Sequence, residues 1–451
     1  MSCILRLNTI AIGNARPKTA LANCTFCNHR TPMTSPKKSE QSIPAKRQVS
    51  DREFVGMMAA LMALNALAID AMLPAFPAMS RALGVSGSNS IQFVVSAYLL
   101  GTGVGSLIHG PLSDRFGRRP MLMGALAGYI LFALVCGQTH SFEMFVAMRF
   151  AHGLCGAGLG VLGLAIVRDC YEGDAMAKRM SMVFLIFMIV PIIAPTIGQL
   201  VLTTAGWRAI YFLFATAALL VGSWAFFRLP ETLAPQNVVS LSPGPLAKAW
   251  GSVISNRTAT AYMLAGGITQ GAMYGFLNSS QQIFDRVFSA ANLFPYCFAA
   301  VAVGMACANF ANSRIVERYG ARRVSQSATI IYIVMSLLQL TAAWLFPAVL
   351  PLFLLLLAGN MALAGFIGSN FGSIAMQPFG AVAGAASSFQ NFVRTAVATS
   401  IGAFIGQQFD TTVIPIIFGF MVCGIIAILL VLWGERGKLF TRPGTTKHLP
   451  M

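Results

Sequence analysis

A chain of 451 residues with 56% apolar and only 10% charged side chains, and a mean hydropathy of +0.70, lacks the roughly 25% charged residues with which a water-soluble domain covers itself. Its apolar runs mostly reach about 18 residues or more, enough to cross about 30 Å of hydrocarbon as helix, and they lack the short alternating strands of a membrane barrel. The formal charge of +17 gathers at the chain ends and in short connections, which reads as membrane topology and not as nucleic-acid binding.

Residues 1–53 are polar and basic and read as a disordered cytoplasmic tail. Arg6 interrupts the one early apolar stretch and no small-residue cleavage site follows, so no signal peptide is expected. Met33 is a second candidate start. Cys24, Cys27 and His29 lack the second ligand pair of a zinc site, and neither metal nor cofactor is expected. Cys136, Cys155, Cys297, Cys307 and Cys423 fall in apolar runs as packing residues.

Six apolar segments follow, at 54–76, 89–112, 120–138, 142–167, 179–203 and 208–229. A polar stretch, 230–258, carries Pro230, Pro235, Pro243 and Pro245 and reads as a cytoplasmic linker. Six more segments lie at 259–282, 290–312, 323–346, 349–376, 384–408 and 412–434, before a cytoplasmic tail, 435–451. The prediction is an all-α membrane protein with twelve transmembrane helices. Arg115, Arg118, Arg119, Arg168, Lys178, Arg179, Arg228, Lys248, Arg257, Arg314, Arg318, Arg322 and Arg323 follow even-numbered segments, against Arg81, Arg208 and Arg286 after odd-numbered ones. That bias puts the first group, and both termini, in the cytoplasm.

Asp70 is the only carboxylate well inside an apolar segment. An ionised Asp there costs about 2.5–3.5 kcal/mol, which marks it as a functional candidate. Arg149 is also deep and needs a carboxylate, a carbonyl or cavity water. Direct or water-mediated coupling of Asp70 to Arg149 is expected, with a static pair as the alternative. Arg394 is a second buried arginine that binds an anionic or carbonyl-bearing substrate or caps helix C-terminal carbonyls. Tyr98, Gln270, Tyr274, Asn278, Gln390 and Asn391 are polar within segments, and the four-residue spacing of Gln270, Tyr274 and Asn278 sets them on one face. Cavity lining and interhelical hydrogen bonding both fit this pattern. His109 and His152 read as packed, neutral histidines. Glycines 153, 156, 158, 160 and 163 give the fourth segment a small-residue face.

Gly110-Pro111-Leu112-Ser113-Asp114-Arg115-Phe116-Gly117-Arg118-Arg119-Pro120 reads as a tight turn between two segments, and Glu317-Arg318-Tyr319-Gly320-Ala321-Arg322 repeats its order 203 residues later. The repeat suggests a duplicated six-segment unit, with solute bound between the copies. The first copy resembles the signature loop of the major facilitator superfamily. Ala68–Pro77, Met148–Gly153, Arg168–Tyr171, Ala194–Gly198 and Ala386–Ser388 with Arg394 are similar to motifs of its bicyclomycin-resistance (Bcr/CflA) drug:proton antiporters. This resemblance implies two pseudo-symmetric six-helix bundles, here 54–229 and 259–434, around a central cavity with alternating access. It implies proton handling by Asp70 and Arg149, and a cytoplasmic gating loop of Gly110, Asp114, Arg115, Gly117, Arg118, Arg119 and Asp169. Pro191, Pro195 and Gly198 match its fifth-segment antiporter motif, a bent helix that limits leakage. Gln199 replaces a second glycine usual after Gly198 and puts tight packing there in doubt.

The expected function is proton-coupled efflux of drugs or small metabolites across the inner membrane by a monomer whose partners are substrate, protons and the lipid bilayer, with no nucleic acid. A dedicated exporter of one solute such as an amino acid, and more remotely a non-transporting sensor, are the alternatives. No enzyme is expected, because no buried nucleophile, base or metal cluster is visible.

Overall fold

A computed structural model describes residues 49–85, 87, 89–238 and 243–440; the readings placed on Cys24, Cys27, His29, Met33 and the first tail up to residue 48 lie outside them, while 51–53, expected in that tail, are the first turn of α1. Among the described residues the fold is wholly helical. The helices are α1 (Asp51–Asp70), α2 (Phe76–Ala82), α3 (Phe93–Phe116), α4 (Arg118–Gln138), α5 (Phe142–Cys170), α6 (Gly173–Phe187), α7 (Ile189–Ala205) and α8 (Trp207–Arg228). They continue with α9 (Pro243–Ser255), α10 (Arg257–Gln282), α11 (Phe294–Tyr319), α12 (Ala321–Leu345), α13 (Leu350–Met376), α14 (Ala383–Gln407) and α15 (Ile414–Gly434).

Side-chain oxygens start several of them. Ser50, Ser141 and Asn256 accept from the backbone N–H three residues on, capping α1, α5 and α10. The predicted loop 110–120 is mostly helix. α3 runs through Asp114 and Arg115, and the chain reverses at Gly117 alone, whose φ of +99° and ψ of 151° only glycine adopts without strain.

Among the described residues ten helical spans are long and apolar enough to cross a membrane. α10 and α14, with 26 and 25 residues, are as long but more polar. They pack closely on each other, and α14 packs closely on α3, so their polar side chains meet protein instead of lipid. The first segment is broken. α1 ends at Asp70, Ala71 and Met72 turn, and a short 3₁₀ stretch, Leu73–Ala75, leads into α2. Pro74 has no N–H to offer the Asp70 carbonyl, so the helix cannot continue there. The fifth segment divides into α6 and α7 at Met188, because Pro191 removes the donor for the Phe187 carbonyl.

The linker holds an unexpected helix, α9, whose Ala249 and Val253 are buried and whose Trp250 stacks on Phe389 of α14 at 5.6 Å. Two buried apolar clusters organise the molecule, one drawn almost wholly from α1–α8 and the other from α9–α15.

Candidate functional site

The break at the end of α1 is the organising feature. Among the described residues no backbone N–H beyond the helix takes up the Ala68 carbonyl, and Arg149 of α5 fills the gap. Its guanidinium donates to Ala68 O at 3.1 Å and, from Nε, to Val94 O of α3 at 3.3 Å. A positive group at a helix C-terminus also meets the negative end of the peptide dipoles. Arg149 lies 4.3 Å from the centre of the Tyr98 ring and 5.8 Å from that of Tyr211, and it is fully buried. Its third partner is His152 Nδ1 at 3.1 Å. A guanidinium has only donors, so Nδ1 accepts and the histidine is neutral with its proton on Nε2, a buried atom with no partner. His109 donates from Nδ1 to Gly105 O at 2.9 Å.

The other side of the break is held by α7. A Cβ on Gly198 would fall well inside contact distance of the Ala71 backbone, so only glycine lets the two chains approach this closely. Gln199 is half-buried and does not disturb this contact. Tyr211 donates to Met72 Sδ at 3.4 Å. Asp70 sits at the break with 7% of its surface exposed. Among the described residues it forms no ion pair. The expected direct Asp70–Arg149 pair is therefore not formed, since two carbonyls, an imidazole and aromatic faces satisfy the arginine.

Tyr98, expected to line a cavity, is instead fully buried beneath Arg149 and donates to Asn65 Oδ1 at 2.7 Å, while Asn65 donates to Gly156 O at 2.9 Å. A Cβ on Gly153 would meet the Tyr98 carbonyl, which explains how α5 comes near enough. Asn278 is also buried, at 1% exposure, and donates to Ser96 Oγ of α3 at 3.2 Å. Its neighbours extend the link between halves. Gln92 Nε2 donates to Gln282 Oε1 at 2.6 Å and to Ser279 Oγ at 3.3 Å. Asn89 and Gln407 exchange side chain-to-backbone bonds of 3.1 and 3.0 Å. For Asn278, interhelical bonding and not cavity lining is what the spacing signalled. Gln270 donates to the Tyr274 hydroxyl at 2.7 Å, so these two do share a face. Gln390 donates to Gly372 O at 3.2 Å. Arg394 is half-buried and reaches Asn391 Oδ1 at 3.4 Å.

At the opposite end of α3, Arg118 pairs with Asp114 at 2.6 Å and with Asp169 at the end of α5 at 2.8 Å. Gly110 lies against Ser388 of α14, where a Cβ would come within 2.8 Å of the hydroxyl. Arg119 donates to Phe226 O at 2.7 Å, and Arg115 is exposed.

A family model described as the Major Facilitator Superfamily matches residues 58–403. The chain belongs to the major facilitator superfamily. It is 30% identical over 392 residues to a Haemophilus influenzae protein named a bicyclomycin resistance protein homolog, covering 85% of this chain and 96% of that one. It is 35% identical over 178 residues to multidrug resistance protein D of Escherichia coli, covering 39% of this chain and 44% of the relative. A crystal structure of a D-xylose-proton symporter shares the fold with a TM-score of 0.67 at 15% identity, over 86% of this chain and 99% of the other.

This superfamily member is thus a multi-pass membrane transporter related to bicyclomycin-resistance proteins, and its signature loop carries one residue that its motif does not name. Glu231, just past α8, accepts from the backbone N–H of Arg118 at 2.9 Å and of Arg119 at 3.1 Å. A carboxylate at the start of α4 satisfies orphan donors and complements the helix dipole. In sequence it is one acid after a proline in a polar stretch. Glu435, past α15, pairs with Arg322 at 2.7 Å in the second half, and that recurrence is the signal that could have found it. Glu231→Ala is expected to cost about 1–2 kcal/mol, as lost helix caps do. Thermal unfolding of the purified protein should show a lower midpoint, with Glu231→Gln intermediate because an amide oxygen still accepts.

Proposed function

We propose that the transporter exports drugs or small metabolites from the cytoplasm in exchange for protons. Bundles 54–229 and 259–434, joined by linker 230–258, alternate access to a site between them. It works as a monomer in the inner membrane with both termini in the cytoplasm, an orientation that the arginine-rich loops after even-numbered segments support. The names of its relatives, bicyclomycin resistance and multidrug resistance, support the substrate class.

One observation carries the proton: Asp70 is a buried carboxylate that forms no ion pair among the described residues, on the break that Arg149 and Gly198 hold from two other helices. Protonation removes the charge that makes burial costly. Helix packing that differs between charged and neutral Asp70 then biases the two access states. One pH unit supplies about 1.4 kcal/mol per proton, and 100 mV adds about 2.3 kcal/mol. In the proposed orientation the links from Asn89, Gln92 and Ser96 to α10 and the Gln407 region close the outer end. Arg394, which among the described residues donates to Asn391, keeps donors for a carbonyl or anionic group on the solute. Gln270, Tyr274, Gln390 and Asn391 complete the proposed solute site.

Drug uptake into inverted vesicles, with and without a pH gradient, tests this. Asp70→Asn is expected to abolish the gradient-dependent component while leaving protein in the membrane. Undiminished proton-driven uptake by that variant would remove Asp70 from the mechanism.

A further inference from the structure

A groove of about 420 Å³ opens between the start of α1 and α6, at the other end of α1 from the Asp70 break. Its walls change character along α6. Lys178 and Arg179 stand at one end, with Arg52 from α1, and Met182, Leu185 and Ile186 follow one and two turns later. At 1.5 Å per residue the step from Lys178 to Leu185 is about 10 Å. Arg179 is already neutralised by Asp51 at 2.6 Å and lies over the Tyr171 ring at 4.4 Å. Arg52 and Lys178 are exposed and form no ion pair among the described residues. The groove therefore presents Arg52 and Lys178, neither in an ion pair among the described residues, above an apolar floor, while its one lining carboxylate, Asp51, is taken up by Arg179.

The apolar part faces outward. The span Gly173–Ala205 has a hydropathy of 2.4 and only 17% of its most apolar window is buried, while Met182 and Leu185 are 46% and 65% exposed. A water-soluble anion would leave that floor wet. A neutral lipid would leave the two cations unmatched, and the ammonium of a zwitterionic headgroup would be repelled by them. A phosphodiester carrying acyl chains meets both demands, since charge-assisted bonds from Arg52 and Lys178 hold the phosphate and the chains cover Met182, Leu185 and Ile186. We infer that this groove is a specific binding site for an anionic phospholipid. It would bridge α1 to α6, the two elements whose continuations meet at Ala71 and Gly198. The inference depends on the protein lying in a membrane and is independent of what it transports.

Native mass spectrometry of the full-length protein in detergent, titrated with phosphatidylglycerol or phosphatidylcholine, tests it. The wild type is expected to retain phosphatidylglycerol with a preference of about tenfold or more, a difference worth about 1.4 kcal/mol. Arg52→Gln with Lys178→Gln should lose that preference. Arg314→Gln with Arg318→Gln, which removes the same charge from the last two turns of α11, should keep it. Loss of preference in both double variants would reduce the effect to overall charge and overturn the site. Equal retention of both lipids by the wild type, or displacement of phosphatidylglycerol by millimolar inorganic phosphate, would also overturn it.

Discussion

Arg149→Lys is expected to stop transport almost as completely as Arg149→Met, although lysine keeps the charge. The guanidinium serves three acceptors on three helices at once, Ala68 O on α1, Val94 O on α3 and His152 Nδ1 on its own α5, and its flat face lies against Tyr98. A lysine ammonium is a point donor on a flexible stem and cannot reproduce that fork. At least one carbonyl, or the imidazole, is left buried without a donor, at about 1–3 kcal/mol each. Loss of the aromatic contact adds up to about 2 kcal/mol in a desolvated site. The carbonyl most exposed to this loss is Ala68, because the helix break has already removed its backbone donor. Transport in inverted vesicles should fall by on the order of a hundredfold in both variants, as a loss of about 3 kcal/mol implies, and the unfolding midpoint should drop in both. If Arg149→Lys retained most of its flux, charge and not geometry would be the requirement, and the role of Arg149 in holding the break would be refuted.

Legibility in the sequence followed the physics of each group. Asp70 and Arg149 stand out because ionic side chains in an apolar run carry a cost that must be met. What meets it for Arg149 did not stand out, because backbone carbonyls are present at every residue and only the break after Asp70 sets one free. Pro74 was the readable sign of that break. Tyr98 and Asn278 were recognisable as polar positions within apolar segments, but a polar side chain there, even at the four-residue spacing that Asn278 shares with Gln270 and Tyr274, serves a cavity wall and a helix contact alike, and burial separates them. The fourth-segment glycines divide in the same way. Cβ atoms on Gly153, Gly156 and Gly158 would meet neighbours, whereas those on Gly160 and Gly163 have room. The long helices were readable from length and hydropathy. α9 was hidden by the prolines at its start, although Leu246, Ala249, Trp250 and Val253 keep helical spacing.

Gly198→Ala should be strongly disruptive, against the ordinary preference of helices. An alanine in a helix interior gains roughly 1 kcal/mol over glycine, and in open surroundings that term would prevail. Here the added methyl would enter the space of the Ala71 carbonyl, and its near neighbours are backbone atoms that cannot rotate aside. Overpacking of this kind costs typically about 1–3 kcal/mol, and more where the obstacle is rigid. The strain can be relieved only by moving α7 away from the break, and that shifts Asp70, one residue before Ala71. Stability and transport should therefore fall together. Gly160→Ala supplies the opposite case on α5, because its Cβ would meet nothing nearer than 3.9 Å. That variant should melt at or above the wild-type temperature and transport normally. A Gly198→Ala protein with wild-type stability and flux would show that the close approach of α7 to the break is dispensable, and the link between the fifth-segment motif and Asp70 would then be lost.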